Sequence, residues 1–135
     1  MKSHPTTIRR TAATASVVLA LGAVSTLPAS ASGGGREVER RGNCSASTDW
    51  KLKAKSDNGR LEVEAEIDSN VNGQTWTWRI LHNGGVSARG RTTTKPPSGS
   101  FEVRRLLINA PGTDSIGVRA TNTSTGETCA GGLKF

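Results

Sequence analysis

The segment Asp68–Gly73 carries the pattern most suggestive of metal chemistry. It reads DSNVNG, which matches the opening of a calcium-binding loop, D-x-[DN]-x-[DN]-G. In such a loop Asp68, Asn70 and Asn72 supply alternating oxygen ligands. The twelfth position is Arg79 instead of glutamate, so we expect weak Ca²⁺ binding at most and no other cofactor. The favoured interpretation is an Asx-rich connection between two strands, with calcium binding as the alternative.

Few residues are available for catalysis. After residue 31 the chain has one histidine, His82, and it has no tyrosine. A G-x-S-x-G motif for a nucleophilic serine is absent from the sequence, and one histidine with two cysteines does not make a zinc site. His82 precedes Asn83-Gly84-Gly85 and is interpreted as part of a turn. We therefore predict that the protein is not an enzyme, and we assign no catalytic residue.

Two tryptophans and three arginines are the candidate ligand-binding residues. Trp76 and Trp78 lie two positions apart, so they share one face of a strand and would form a sugar-stacking platform if exposed. The favoured interpretation places both in the core, because the chain has few other large side chains. Arg79 is predicted opposite Arg89 and beside Arg91, which forms a basic patch that an anion would neutralise. The favoured interpretation is instead a solvated face with acidic neighbours from another strand.

The start of the chain indicates export. An apolar run at residues 17–27 follows a basic segment, and Ala29-Ser30-Ala31 provides the small residues that signal peptidase recognises. We predict a signal peptide over residues 1–31. The expected product is a secreted, extracellular protein with no membrane span after cleavage.

Removing that leader also changes the charge. Lys2, Arg9 and Arg10 leave with it, so the formal net charge of +7 falls to +4, with 15 basic and 11 acidic residues. The sequence contains no run of Lys and Arg with interleaved aromatic residues, so we do not expect nucleic acid as a partner. A mild positive charge favours anionic cell surfaces.

The two cysteines, Cys44 and Cys129, predict one disulfide in an exported chain. This bond would join the start of the domain to its last strand. Residues 32–43 read SGGGREVERRGN and are predicted to form a flexible tether. The domain is predicted over residues 44–135.

Alternating apolar and polar residues predict β-strands separated by turns. Asn58-Gly59 is the strongest hairpin signal, and a two-residue turn there sets a single register. In that register three lysines oppose three glutamates on one face, and three apolar pairs form on the other: Lys55–Glu62, Lys53–Glu64, Lys51–Glu66, Ala54–Val63, Leu52–Ala65 and Trp50–Ile67. A second hairpin is predicted with a three-residue loop at Asn83-Gly84-Gly85, and Arg104-Arg105 predicts a β-bulge because it interrupts the alternation.

About seven short strands without a helix after residue 31 predict an all-β fold. We expect a single antiparallel β-sandwich, immunoglobulin- or fibronectin-like in architecture and closed by the terminal disulfide Cys44–Cys129. We expect it to be a monomer.

Several segments of the chain resemble a group of small secreted actinomycete-type proteins with one β-domain between two cysteines. The segments are WKLKAKSDNGRLEVEAEIDSNVNGQTW, PPSGSFEVRR and ATNTSTGETC. The resemblance covers residues 44–135 and implies a stand-alone exported β-domain of uncharacterised role. It implies no catalytic or binding residue.

These features predict an extracellular, non-catalytic binding or interaction module. Its expected partner is an extracellular protein or a cell-surface polysaccharide. One alternative is a carbohydrate- or cell-wall-binding module, calcium-assisted or aromatic. Another is a secreted protease inhibitor or effector with the segment 92–100 as its bait loop, although Lys95-Pro96 argues against it, because trypsin-like proteases cleave Lys-Pro bonds poorly.

Overall fold

A computed structural model describes residues Gly35–Phe135. The predicted signal peptide, residues 1–31, lies outside the described residues. Eight antiparallel strands follow one another along the described chain: β1 Glu37–Asn43, β2 Asp49–Asp57, β3 Arg60–Asp68, β4 Thr75–His82, β5 Gly85–Thr93, β6 Ser100–Ile108, β7 Ser115–Asn122 and β8 Thr128–Lys134.

The strands form two four-stranded sheets. Sheet A has the order β1-β2-β3-β6, and sheet B has the order β5-β4-β7-β8. The predicted all-β sandwich is therefore confirmed, with eight strands where about seven were expected. With β1 as an added edge strand, the orders β2-β3-β6 and β5-β4-β7-β8 correspond to A-B-E and C′-C-F-G of an immunoglobulin-like sandwich, in which the first two strands pair within one sheet. Here β2 and β3 form a hairpin within sheet A.

The structure differs from the predicted tether over Glu37–Asn43. These residues form β1, which pairs with β2 along its whole length. Their own composition carries little strand signal, because only Val38 packs against the core. The strand is stabilised by its ladder with β2, and Gly42 leaves room for the Trp50 indole, to which a Cβ would approach within 2.7 Å. Non-local pairing thus outweighs local composition here.

The β2–β3 hairpin has the predicted register. Every predicted pair is present, including Lys53 opposite Glu64 and Leu52 opposite Ala65. Asn58 and Gly59 both have positive φ, 47° and 78°, as a type I′ turn requires. This turn matches the twist of the strands and therefore fixes the register.

The β4–β5 hairpin has the predicted pairs but a tighter turn. Trp78 lies opposite Gly90 and Ile80 opposite Ala88. The connection is a two-residue turn at Asn83 and Gly84, with φ of 48° and 86°, and not the expected three-residue loop. A register shift between Ile80 and Leu81 adds the extra residue as a bulge in β5.

The bulge predicted at Arg104-Arg105 is absent from the described β3–β6 ladder, whose register is continuous. Arg104 lies opposite Glu64 on the outer face, while Arg105 lies opposite Val63 on the inner side of an edge strand. The Arg105 guanidinium lies over the Trp78 ring, 5.2 Å from its centroid. A cation–π contact at the open edge therefore accommodates the arginine without a bulge.

The core lies between the two sheets. Sheet A contributes the apolar residues predicted to face inward, and Trp76 and Ile80 of sheet B are fully buried against them. The predicted disulfide joins Cys44, just after β1, to Cys129 in β8. It links an edge strand of one sheet to an edge strand of the other and closes that side of the sandwich.

Candidate anion-binding face

The two sheets differ sharply in charge. The strands of sheet A contain nine of the 11 acidic residues of the chain together with eight basic residues. The strands of sheet B, all within the described residues, contain no Asp or Glu and five Lys or Arg. The formal charge is therefore −1 on the strands of sheet A and +5 on those of sheet B. The net positive charge of the strands therefore lies entirely on sheet B.

The charges of sheet A are neutralised by ion pairs across neighbouring strands. Lys53 Nζ lies 2.8 Å from Glu64 Oε2, and Arg104 Nη2 lies 2.6 Å from Glu64 Oε1. Lys51 and Lys55 pair in the same way with Glu66 and Glu62. The hydrogen bond from Lys53 outweighs the effect of burial and holds the pKa of Glu64 below its usual value. This face offers little free charge to a ligand.

Sheet B presents what we name the arginine face, made of Arg79, Arg89, Arg91 and Arg119 on its outer surface. Arg79 in β4 lies directly opposite Arg89 in β5 and directly opposite Arg119 in β7. Arg91 lies two residues beyond Arg89 on the same face. All four side chains are exposed. Three arginine positions therefore form a row across three neighbouring strands, with the fourth beside it.

The arginine face lacks the acidic neighbours expected from another strand. The neighbour that β7 supplies to Arg79 is a further arginine, Arg119. Within residues 35–135 none of the four guanidinium groups takes part in an ion pair. The predicted patch of Arg79, Arg89 and Arg91 is thus brought together, and Arg119 enlarges it.

Sequence reasoning missed Arg119, because its position opposite Arg79 depends on the non-local pairing of β4 with β7. Its Nη1 donates to the carbonyl oxygens of Val118 at 3.0 Å and Gly131 at 3.3 Å. These backbone contacts orient the side chain without neutralising its charge. The signal available in the sequence was the absence of acidic residues from every strand that became part of sheet B.

Like charges placed directly opposite one another disfavour a sheet. Two unit charges about 6 Å apart repel by about 0.7 kcal/mol in water, and by more near a protein surface. An anion placed between the guanidinium groups would remove this repulsion and accept charge-assisted hydrogen bonds. Arg79, Arg89, Arg91 and Arg119 also line a shallow concavity of about 630 Å³. The arrangement is therefore suited to binding anions.

The tryptophans lie mainly in the core, as the favoured interpretation predicted. Trp76 is fully buried, and Trp78 is 6% exposed. Trp78 Nε1 donates to Thr92 Oγ1 at 2.9 Å, and Gly90 gives the indole its space, because a Cβ there would lie 2.5 Å from the ring. These contacts leave no exposed tryptophan pair on sheet B for stacking on a sugar.

The loop predicted to bind calcium connects β3 to β4. Asp68 Oδ1 accepts a hydrogen bond from the Asn70 backbone N–H at 3.1 Å, and Asn70 has a φ of 57°. The buried Thr94 hydroxyl donates to the carbonyl oxygen of Val71 at 2.6 Å. No group of three or more His, Cys, Asp or Glu side chains able to hold a metal occurs among the described residues. Calcium binding at Asp68, Asn70 and Asn72 stays a prediction.

His82 lies at the end of β4 against a buried carboxylate. Its Nε2 is 2.6 Å from Oδ1 of Asp114, which is fully buried. Asn83 Nδ2 donates to the same oxygen at 3.0 Å, and Asn83 Oδ1 accepts from the Ser115 N–H. Burial raises the pKa of Asp114, but the hydrogen bonds from His82 and Asn83 and the charge of His82 outweigh it and lower the pKa overall. The cluster ties the β4–β5 turn to the start of β7.

The segment considered as a protease bait loop is a compact turn. Lys95 forms an isolated β-bridge with Ser100, and the Gly99 N–H donates to the Lys95 carbonyl oxygen at 2.9 Å. The Gly99 backbone also lies against that of Val71, where a Cβ would approach within 2.3 Å. The turn is thus packed on the β3–β4 loop and does not stand out as an extended segment.

Comparison with known proteins identifies no relative: no family model matches the chain, no curated protein matches its sequence, and no solved structure matches its fold. Among the described residues, no helix is long and apolar enough to cross a membrane.

Proposed function

We propose that this protein is a secreted, non-catalytic binding module that attaches to an anionic extracellular partner through the arginine face. The observation that carries the proposal is the row of Arg89, Arg79 and Arg119 on a sheet whose strands have no acidic residue. The attraction of an anionic partner to such a face is electrostatic, so it depends on the charges of the surface and not on a particular fold.

Two further features support the extracellular setting. The leader over residues 1–31 has the order of regions that export requires. The disulfide Cys44–Cys129 belongs to a class of bond that persists in oxidising compartments. Cell surfaces commonly carry anionic polymers, so a module released there meets partners of the sign that the arginine face attracts.

The contrast between the sheets supports binding over a purely structural role for the arginines. On sheet A the lysines of β2 form ion pairs with the glutamates of β3, and these pairs specify the strand register. On sheet B Arg79 lies opposite both Arg89 and Arg119, so these three charges repel one another across the strands. Their common placement is explained by a ligand that supplies the missing negative charge.

The test is co-sedimentation of the secreted protein with purified cell wall and with insoluble anionic and neutral polysaccharides across a salt series. The intact mass of the secreted protein first shows whether the chain is cut after Ala31. Arg79→Gln is expected to weaken pelleting with anionic polymer about five- to tenfold, the loss of roughly 1 kcal/mol or slightly more of charge-assisted bonding.

Arg60→Gln is the matched control. Arg60 is exposed on the outer face of sheet A, so its loss changes the net charge equally but leaves the arginine face intact. Equal weakening by both variants would mean that only total charge matters, and the proposed face would be wrong. Absence of pelleting with every anionic polymer at low salt would overturn the proposed function itself.

A further inference from the structure

The arrangement of the arginine face indicates the shape of its ligand. Neighbouring strands lie about 4.8 Å apart, and Arg89, Arg79 and Arg119 occupy directly opposed positions on β5, β4 and β7. The backbone positions of the three arginines therefore form a line at right angles to the strands. A small anion contacts one or two guanidinium groups at a time. A ligand with negative groups along its length can contact all three.

The surface beside the row is rich in hydroxyl groups. Arg91 lies opposite Thr77, and Thr77 lies opposite Thr121, so two threonines continue the line that Arg91 begins. Thr75 and Thr93 follow in the next line, with their hydroxyl oxygens 3.2 Å apart. Threonine hydroxyls both donate and accept hydrogen bonds. They suit a ligand that is hydroxylated as well as charged.

The face lacks the groups that other polyanions require. The three tryptophans and two phenylalanines of the chain all lie within the described residues. Four of them are buried, and Trp50 belongs to sheet A. Binding of single-stranded nucleic acid depends on stacking of bases on exposed aromatic rings, which this face does not offer.

An acidic protein partner fits the face less well than a hydroxylated polymer. Protein interfaces are anchored by a buried apolar or aromatic centre. The exposed large apolar residue on this side of sheet B is Val86, 46% exposed, and it lies at the end of β5 near the turn. The centre of the face consists of arginine and threonine.

From this geometry we infer that the ligand is a linear, anionic polysaccharide that lies across the strands of sheet B along the row Arg89–Arg79–Arg119. This inference rests on the proposed function and specifies the ligand of the same face. Its charged groups bind the guanidinium row, and its hydroxyl groups contact the threonines beside the row. Binding is salt-dependent, because several charge contacts form together.

The inference is tested with oligogalacturonates of increasing length as probes and the protein produced from the full chain. A decasaccharide is expected to bind at least about tenfold more tightly than a disaccharide, because only the longer probe spans the row. Single-stranded DNA and polyglutamate with the same number of charges are expected to bind at least about fivefold more weakly than the decasaccharide. Neutral dextran is the uncharged control.

Two variants of the same face test the direction of the ligand. Arg79→Gln removes the centre of the row, whereas Arg91→Gln removes an equal charge beside it. Arg79→Gln is expected to weaken decasaccharide binding about tenfold, and Arg91→Gln to weaken it about threefold or less. Urea midpoints that are unchanged or higher establish that both variants remain folded.

The outcomes separate the two proposals. If no anionic probe binds at low salt, the proposed function fails and the inference fails with it. If anionic probes bind but affinity does not rise with length, or if DNA or polyglutamate binds as tightly, the polysaccharide inference is wrong while the anion-binding function stands. Equal losses for Arg79→Gln and Arg91→Gln would overturn the orientation along the row.

Discussion

Reduction of the Cys44–Cys129 disulfide is expected to lower the free energy of unfolding by about 4–5 kcal/mol. The two cysteines are 85 residues apart in the sequence. For a loop of that length the chain-entropy relation gives a stabilisation of about 4.6 kcal/mol at 25 °C. Small domains are stable by about 5–15 kcal/mol in total, so the bond is expected to account for about a third or more of the stability of the domain.

The position of the bond predicts where the reduced protein opens first. Cys44 follows β1, which is the edge strand of sheet A and has β2 as its partner in that sheet. Hydrogen exchange along Glu37–Asn43 is therefore expected to accelerate more than exchange in β3, which lies between two strands. The contacts of Glu127 with Thr48, at 2.9 Å to its N–H and 2.8 Å to its hydroxyl, still hold the start of β2.

The assay is urea unfolding of the oxidised and the reduced wild-type protein, since both retain the two sulfur atoms. Cys44→Ala/Cys129→Ala serves as a second comparison and is expected to be about 1 kcal/mol less stable than the reduced protein, because Cys129 is buried. A loss below about 2 kcal/mol on reduction, with an unchanged dependence on urea, would refute the loop-closure argument.

Three other substitutions test separate parts of the structure by urea unfolding. Gly90→Ala places a Cβ 2.5 Å from the Trp78 ring and is expected to cost about 1–3 kcal/mol; a neutral effect would show that the indole moves freely. Glu64→Gln leaves Lys53 and Arg104 without the carboxylate that they share and is expected to lower the free energy of unfolding by about 1–3 kcal/mol. The control Glu102→Gln, at an exposed position, is expected to lower it by less than about 0.5 kcal/mol. The pKa of Asp114 is lowered in the folded protein. Its ionised carboxylate therefore stabilises the fold at pH values above the pKa of the unfolded state, and this stabilisation is lost as the pH falls through the pKa of the folded state. Wild type is therefore expected to lose more stability than Asp114→Asn between about pH 5 and about pH 2, and parallel pH profiles would contradict this.

The parts of the fold that could be predicted from the sequence are those fixed by local interactions. The β2–β3 hairpin is one, because the Asn58-Gly59 turn and the lysines of β2 that face the glutamates of β3 specify a single register. The residue pairs between β4 and β5 are another, although the bulge in β5 made the predicted turn one residue longer than the observed one. β1 was missed because its stability comes from pairing with β2 and from the disulfide.

The candidate site shows the same division. The opposition of Arg79 and Arg89 follows from a hairpin and was predicted, but the opposition of Arg79 and Arg119 joins strands that are distant in the sequence. Several pairings of β4 were compatible with the alternation pattern, and each would have given Arg79 a different neighbour. The expectation that Arg79 has acidic neighbours was therefore wrong because the sequence does not show which strand pairs with β4. The charges of the residues themselves were known from the sequence.

The separation of charge between the two sheets gives each set of charges a different physical role. On sheet A, Glu64 is held by Lys53 and Arg104 and is 5% exposed, so these charges act within the protein and stabilise one register. On sheet B the arginines repel one another within the same fold, and the disulfide and the buried core must outweigh that repulsion. Replacing Arg79 by glutamine is therefore expected to remove an unfavourable interaction in the free protein and a favourable one in the proposed complex with an anionic polymer. Stability that is unchanged or increased, together with weakened binding of anionic polymer, is the result that distinguishes a binding residue from a structural one.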